Sequence, residues 1–271
     1  VESLESERQG LNIPSDGEWT RECFKLATGT GKTVVMAMLI SWQILNKIAS
    51  PRDIRYSKNI LIITPGITVK DRLSVLNPFQ EDNFYEEFQI VNDEMMQKLQ
   101  LGKIIITNWH NLSSQSDTNK TVVQRGQESD QAFCKRILKP FGDSKNILVI
   151  NDEAHHCWRS SDSKTTHEKA TIWVEGLDKI HRIRKILKTY DLSATPFRPS
   201  GKGNQEEKLF SWIVSDFGLN DAIESGLVKT PRVAVRDDST VGEDLKSKFY
   251  NLYYHVKDDL NRRVDSKVGL P

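Results

Sequence analysis

The stretch CFKLATGTGKT, residues 23–33, decides the fold of this chain. Its first four residues predict a short β-strand, and the apolar pattern that follows predicts a buried helix over residues 33–46. Between them lies a glycine-containing loop that ends in Lys32 and Thr33. A strand, a glycine loop and a helix in this order are typical of a phosphate-binding loop. The loop residues predicted to contact the nucleotide are Thr28, Gly29, Thr30, Gly31, Lys32 and Thr33.

Two side chains of this loop carry the predicted chemistry. The glycines let backbone N–H groups turn inward around phosphate oxygens, and the helix N-terminus adds partial positive charge. We predict that Lys32 is a catalytic residue that reaches the β- and γ-phosphates, and that the Thr33 hydroxyl is a ligand of Mg²⁺. The alternative interpretation is a glycine turn that only joins a strand to a helix.

The second motif is the sequence NDEAHH, residues 151–156, which follows an apolar strand predicted over residues 146–150. A carboxylate at the carboxyl end of a parallel strand faces the same crevice as the phosphate loop. We therefore predict that Asp152 is the second Mg²⁺ ligand and that Glu153 is the base that activates the attacking water. The alternative is a solvated acidic turn. A zinc site at His155, His156 and Cys157 is disfavoured, because consecutive residues do not readily converge on one metal.

The remaining predicted elements place further polar segments at the same edge. Apolar strands are predicted at 59–64, 103–107 and 189–192, and helices at 131–138 and 169–180. Strands that alternate with helices predict a parallel sheet and an α/β fold. The predicted DNA contacts follow two of these strands and are Pro65, Gly66, Arg72, Asn108, Trp109 and His110. The alternatives are that Trp109 belongs to the core and that Arg72 is an ordinary solvated charge.

A third motif, DLSATPF at residues 191–197, lies at the last of these strand ends. We predict that Ser193 and Thr195, together with His155, couple the acidic motif to the DNA contacts by hydrogen bonds.

Composition restricts the partners and the setting. The chain has 271 residues and a net charge of +1, so contact with nucleic acid requires a local patch rather than bulk charge. Its three cysteines are too few and too scattered for a disulfide framework, which indicates a reducing, cytoplasmic setting. The apolar runs are shorter than the roughly 18 residues that a membrane span needs, so we expect no membrane partner.

Taken together, the three motifs resemble those of superfamily 2 helicases of the DEAD/DEAH type. ATGTGKT is similar to their motif I, DEAH to motif II and SAT to motif III, over about residues 21–233. The sequences NDEAHH, DLSATPF and SDFGLNDAIESGLVKTPR further resemble the motor subunit of type III restriction enzymes. Leu26, where the common phosphate-loop pattern has glycine, is a variant that also occurs in helicase loops.

This resemblance implies a RecA-like open, mostly parallel sheet with helices on both faces, which binds ATP, Mg²⁺ and DNA. It also implies a second RecA-like lobe that supplies arginines to the γ-phosphate, a methylation and specificity subunit, and an attached endonuclease. The arginine-bearing motif VI and the adenine-reading glutamine motif are not evident in the chain. We therefore expect the chain alone to hydrolyse ATP poorly.

The expected domain organisation has three parts. Residues 1–20 are read as an N-terminal remnant, 21–235 as the ATP-binding lobe with an insertion at about 111–145, and 236–271 as the truncated start of a following segment. Residues 160–166 and 200–207 are expected to be exposed loops, and 246–259 an amphipathic helix. The rival functions are another P-loop enzyme, a kinase or GTPase, and a non-catalytic DNA-binding module. The guanine-reading Asn-Lys-x-Asp pattern of GTPases is missing.

Overall fold

A computed structural model describes residues 18–113, 128–158, 168–200 and 206–229. Residues 18–228 of this part belong to one compact unit. The strands are β1 Thr20–Leu26, β2 Asn59–Thr64, β3 Lys103–Asn108, β4 Ile147–Asp152, β5 Ile186–Ser193, β6 Phe197–Ser200, β7 Glu206–Leu209 and β8 Ile213–Phe217. The α-helices are α1 Lys32–Ala49, α2 Ile67–Arg72, α3 Phe84–Glu87, α4 Asp93–Leu99, α5 Asp130–Ile137, α6 Glu168–Arg184 and α7 Leu219–Glu224. Four short 3-10 helices cover Leu73–Leu76, Trp109–Leu112, Lys139–Phe141 and Ala154–His156.

Six of the strands form one sheet in the order β3-β2-β4-β5-β1-β8, and every pairing in it is parallel. All strands of this sheet therefore end at one edge and begin at the other. Strands β6 and β7 form a separate antiparallel hairpin. The predicted α/β, RecA-like open sheet is confirmed.

The sheet has a core on each face because successive side chains of a strand point in opposite directions. On β2, Leu61 and Ile63 pack in a cluster with Trp173 of α6. The alternate residues Ile60 and Ile62 pack in a second cluster with residues of α1 and α4. Helices thus cover both faces, as predicted, and this explains why the strands are apolar without alternation.

The boundaries and the later strands differ from the sequence predictions. Residues 128–145 of the expected insertion contain α5, whose Phe133 lies in the core, so this part is integral to one helical layer. Trp19, expected in the remnant, is also buried. The prediction of one exposed loop over 200–207 is wrong at its ends, because β6 extends to residue 200 and β7 begins at residue 206. The edge strand β8 was not predicted, because it is short and carries exposed polar residues. The expected loop 160–166 and helix 246–259 lie outside the described residues.

A buried polar network joins the strands that lead to the site. Asp191 on β5 is 0% exposed, and its carboxylate accepts hydrogen bonds from Arg21 Nε at 2.8 Å, Asn151 Nδ2 at 2.7 Å and Trp212 Nε1 at 2.8 Å. The Arg21 guanidinium also lies 4.5 Å from the centroid of the Trp212 ring. Because Arg21 is on β1 and Asn151 on β4, this carboxylate connects both strands that flank β5.

The network extends to the helical layer and to the segment after the acidic motif. Trp173 Nε1 of α6 donates to Asn151 Oδ1 at 3.0 Å, and Arg21 Nη2 donates to the Cys157 carbonyl at 2.7 Å. A buried charge is tolerated only where it is paired and hydrogen-bonded. The Arg21–Asp191 pair, with side chains 1% and 0% exposed, meets that condition.

We predict that Asp191→Asn lowers the free energy of unfolding by about 3–5 kcal/mol, because it leaves the Arg21 charge buried without a counter-charge. Urea titration measures the change. The matched control is Asp216→Asn, which breaks the Lys25–Asp216 pair, where the Asp216 side chain is 56% exposed. That control should cost less than about 1 kcal/mol. Equal losses in the two variants would contradict the role given to the network.

Candidate active site

The predicted catalytic segments meet at the carboxyl edge of the sheet. The glycine loop follows β1, Asp152 ends β4, and Ser193 ends β5, which lies between them. Asp152 is in register with Leu192, and Lys25 is in register with Ser193. Because neighbouring strands lie about 4.8 Å apart, all three segments border one narrow region.

The glycine loop has the backbone geometry that its sequence predicts. Gly29 and Gly31 have φ angles of +85° and +84°, a left-handed conformation that favours glycine. The Thr30 hydroxyl donates to the Ala27 carbonyl at 2.7 Å and closes the turn. Gly31 is the N-cap of α1, whose first turn contains no acidic residue. The N-terminus of this long helix is therefore suited to an anion.

Lys32 and the acidic motif are in direct contact. Lys32 Nζ lies 3.0 Å from Glu153 Oε1, and Glu153 Oε2 lies 3.4 Å from His155 Nδ1. Glu153 has φ +49° and ψ +52°, so a non-glycine residue occupies the left-handed region at this point. Such strain persists only where the surroundings enforce it, and it is concentrated at functional sites. Because Lys32 is already paired with Glu153, an anionic ligand of Lys32 has to compete with the Glu153 carboxylate.

The acidic motif is also connected to the SAT motif. A hydrogen bond of 3.0 Å joins His155 Nδ1 and Ser193 Oγ, and the backbone N–H of Thr195 donates to the same Ser193 oxygen at 3.1 Å. Hydrogen bonds thus connect the three residues predicted to couple the sites, and Glu153 lies against the same His155 nitrogen.

Asp152 is a buried carboxyl with altered acidity. The pKa of Asp152 is raised to about 6. Burial is the largest cause and the negative charge of Glu153 the second, and together they outweigh the positive charges of Lys32 and Arg72, which act in the opposite direction. A divalent cation would compensate the buried negative charge. Asp152 and the Thr33 hydroxyl supply hard oxygen donors of the kind that Mg²⁺ accepts beside substrate phosphates. The residues present therefore fit the implied ion.

The segments predicted to contact DNA also lie side by side. Strands β2 and β3 pair with Thr64 opposite Asn108, and the Trp109 indole N–H donates to the Pro65 carbonyl at 3.1 Å. Trp109 is half-buried against the core and stacks on the exposed His110 with ring centroids 3.8 Å apart.

Other side chains of these segments have structural contacts or remain exposed. The buried Asn108 side chain accepts from the Asn111 N–H at 3.3 Å and caps a 3-10 helix. Gly66 begins α2, and Arg72 at its end is exposed.

Sequence reasoning missed the support behind this site. Arg21 lies seven residues before the glycine loop, and the neighbouring sequence does not indicate that its side chain is buried. The contact between Val228 and the glycine loop was also not predicted: Val228 Cγ2 lies 3.6 Å from the position that a Cβ at Gly29 would occupy. Both contacts join residues far apart in the chain.

The fold defines an α/β domain of the RecA-like class. A family model described as "Type III restriction enzyme, res subunit" matches residues 2–198, and the chain belongs to that family, a group of helicase-like, ATP-dependent motors with a superfamily 2 helicase-type domain. Among curated proteins none matches the chain. Over the described ranges, no helix is long and apolar enough to cross a membrane, and no cluster of three or more His, Cys, Asp or Glu residues could hold a metal ion.

We predict that Asp152→Asn stabilises the protein at about pH 7. The folded-state pKa lies above the unfolded one, so this carboxyl costs stability as pH rises through about 4 to 6. The amide removes a cost of up to about 3 kcal/mol, and the gain should vanish toward pH 4. Urea titration at several pH values measures it. Asp82→Asn, at an exposed position, is the control and should change little at either pH. A gain that is independent of pH would contradict this assignment.

Proposed function

We propose that this chain is the ATP-binding lobe of a DNA helicase or translocase motor of the type III restriction endonuclease kind. The observation that carries the proposal is the contact between Lys32 and Glu153 next to the buried carboxyl of Asp152. Lys32 begins the helix that follows β1, whereas the two acids lie at the end of β4, and β5 separates these two strands. A turn that only joins a strand to a helix does not need this convergence.

In the proposed reaction the glycine loop and the N-terminus of α1 bind the triphosphate through backbone N–H groups. Lys32 moves from Glu153 to the β- and γ-phosphates, and Glu153 is then available to accept a proton from the attacking water. Thr33 and Asp152 would hold a Mg²⁺ ion, which would supply charge neutralisation at the phosphate oxygens. The contacts from Glu153 through His155 to Ser193 transmit the change, since His155 Nδ1 faces both Glu153 Oε2 and Ser193 Oγ.

DNA is the proposed second substrate, bound along the ends of β2 and β3. Pro65, Gly66, Arg72 and His110 offer backbone groups and charge there, while Trp109 and Asn108 hold the two segments in place. Family membership supports this proposal, and also the proposals of a second lobe with γ-phosphate arginines, a methylation and specificity subunit and an endonuclease.

Lys32→Ala should weaken binding of Mg·ATP at least about tenfold, because it removes the one charge that the loop directs to the phosphates. Isothermal calorimetry on the 271-residue chain measures it. Lys208→Ala, which removes an exposed lysine of β7, is the control and should bind as the unmodified chain does. Equal affinities in the two variants would remove the loop from the mechanism.

Glu153→Gln should retain nucleotide binding but lower ATP turnover by about 100-fold or more, because an amide cannot accept the proton. Its affinity should stay the same or rise, since Lys32 no longer faces a carboxylate. The measurement is phosphate release with DNA in the complete enzyme that carries both lobes. Glu94→Gln, at an exposed position of α4, is the control. Normal turnover in Glu153→Gln would exclude this residue as the base.

A further inference from the structure

The edge of the sheet opposite the active site carries a row of lysines. Four adjacent strands, in the order β3-β2-β4-β5, each begin at or just after a lysine. These residues, which we call the lysine stripe, are Lys103, Lys58, Lys145 and Lys185, and all four are exposed. The stripe ends at the next strand, where exposed Glu18 precedes β1.

Backbone contacts join the stripe in two pairs, and the pairing of β2 with β4 places these pairs side by side. The Lys103 N–H donates to the Lys58 carbonyl at 2.8 Å, and the Ile147 N–H donates to the Lys185 carbonyl at 3.0 Å. Lys103 Nζ donates to the Pro140 carbonyl at 2.9 Å, which ties the start of β3 to the segment after α5. Four neighbouring strands span about 14 Å at this edge.

A cleft of about 490 Å³ between α5 and the end of α6 adjoins the stripe. Three cations line it, Lys135, Lys139 and Arg184, against a single acid, Asp143. Arg184 Nη2 pairs with Asp143 Oδ1 at 2.8 Å, and the Asp143 side chain is 97% exposed. The Arg184 carbonyl accepts from the Asn146 N–H at 3.0 Å, so the cleft and the stripe are continuous.

We propose that the lysine stripe and this cleft form a second nucleic-acid surface that binds the phosphate backbone without reading sequence. The spacing favours a polyanion, since about 14 Å corresponds to the axial rise of about four phosphates along one DNA strand. The stripe lies about one strand length, roughly 20 Å, from the active-site edge. A DNA duplex bound to the stripe therefore does not compete with a nucleotide bound at the active site. Exposed lysines are typical of contacts to a phosphate backbone and are depleted in the cores of protein interfaces.

A different role could place lysines at these positions, because charges flanking apolar strands act as gatekeepers against aggregation. The two roles differ in a measurable way. Removing a gatekeeper lysine changes solubility and folding. Removing a lysine that contacts phosphate lowers the salt dependence of DNA affinity, by about 0.9 per contact in the slope of log K against log salt.

The test compares variants of the 271-residue chain by fluorescence anisotropy. The probe is an end-labelled duplex of about 20 base pairs, titrated between about 50 and 200 mM salt. The stripe variant Lys145→Gln/Lys185→Gln should bind about tenfold more weakly at the lowest salt, with a slope smaller by about 2. Replacing all four lysines should reduce the slope by about 4. The control Lys98→Gln/Lys208→Gln removes two exposed lysines that do not precede a strand of the sheet, and it should bind as the unmodified chain does.

Two further measurements separate binding from stability and from the active site. The charge-preserving variant Lys145→Arg/Lys185→Arg should retain DNA affinity, which a defect in folding would not explain. Calorimetry with Mg·ATP should give the same affinity in the stripe variant and the unmodified chain. Because the DNA titrations contain no nucleotide, failure of Lys32→Ala to affect ATP binding would leave the stripe result standing.

Three results would overturn the proposal. The first is equal DNA affinity and salt slope in the stripe variant and its control, which would leave only the gatekeeper role. The second is a stripe variant that binds DNA as the unmodified chain does but no longer binds a labelled polyglutamate peptide, which would indicate an acidic protein partner. The third is an unmodified chain without salt-dependent affinity for the duplex.

Discussion

The carboxylate of Asp191 is the constraint on which the rest of the site depends. It is a buried charge that accepts hydrogen bonds from β1, from β4 and from the segment before β8. Two of the donors precede a functional element, since the glycine loop follows β1 and the acidic pair follows Asn151, and Asp191 itself lies two residues before Ser193. A shift of one strand would leave a buried polar group without its partner, at a cost of about 1–3 kcal/mol or more. The network therefore enforces the register that brings the three motifs to one edge.

The active-site edge carries charges in a less favourable arrangement than the network beneath it. Burial raises the pKa of Asp152, and Glu153 adopts a left-handed backbone conformation and draws Lys32 toward itself. The buried carboxyl and the left-handed backbone each cost stability. Under the proposed function, a ligand would bring cations to Asp152 and phosphates to Lys32, and its binding free energy would offset these costs.

The parallel sheet gives its two edges different chemistry. Strand ends lead into glycine, acidic and hydroxyl residues, whereas four adjacent strand starts carry lysine. A protein that handles a long polyanion can use both edges, because they lie about one strand length apart. The proposed division assigns nucleotide-dependent contacts to one edge and general backbone affinity to the other.

The sequence by itself determined the fold class, the family and the positions of the three motifs. Glycine loops and uninterrupted apolar strands are local signals, and a parallel sheet follows from strands that alternate with helices. Only the tertiary structure decided that Arg21 pairs with Asp191, that the helix α5 belongs to the core, that Trp109 ties two predicted DNA segments together, and that β8 completes the sheet. The physical reason is that these contacts join residues far apart in the chain. Their free energy comes from burial and pairing in the folded state, which neither spacing nor residue type reveals in advance.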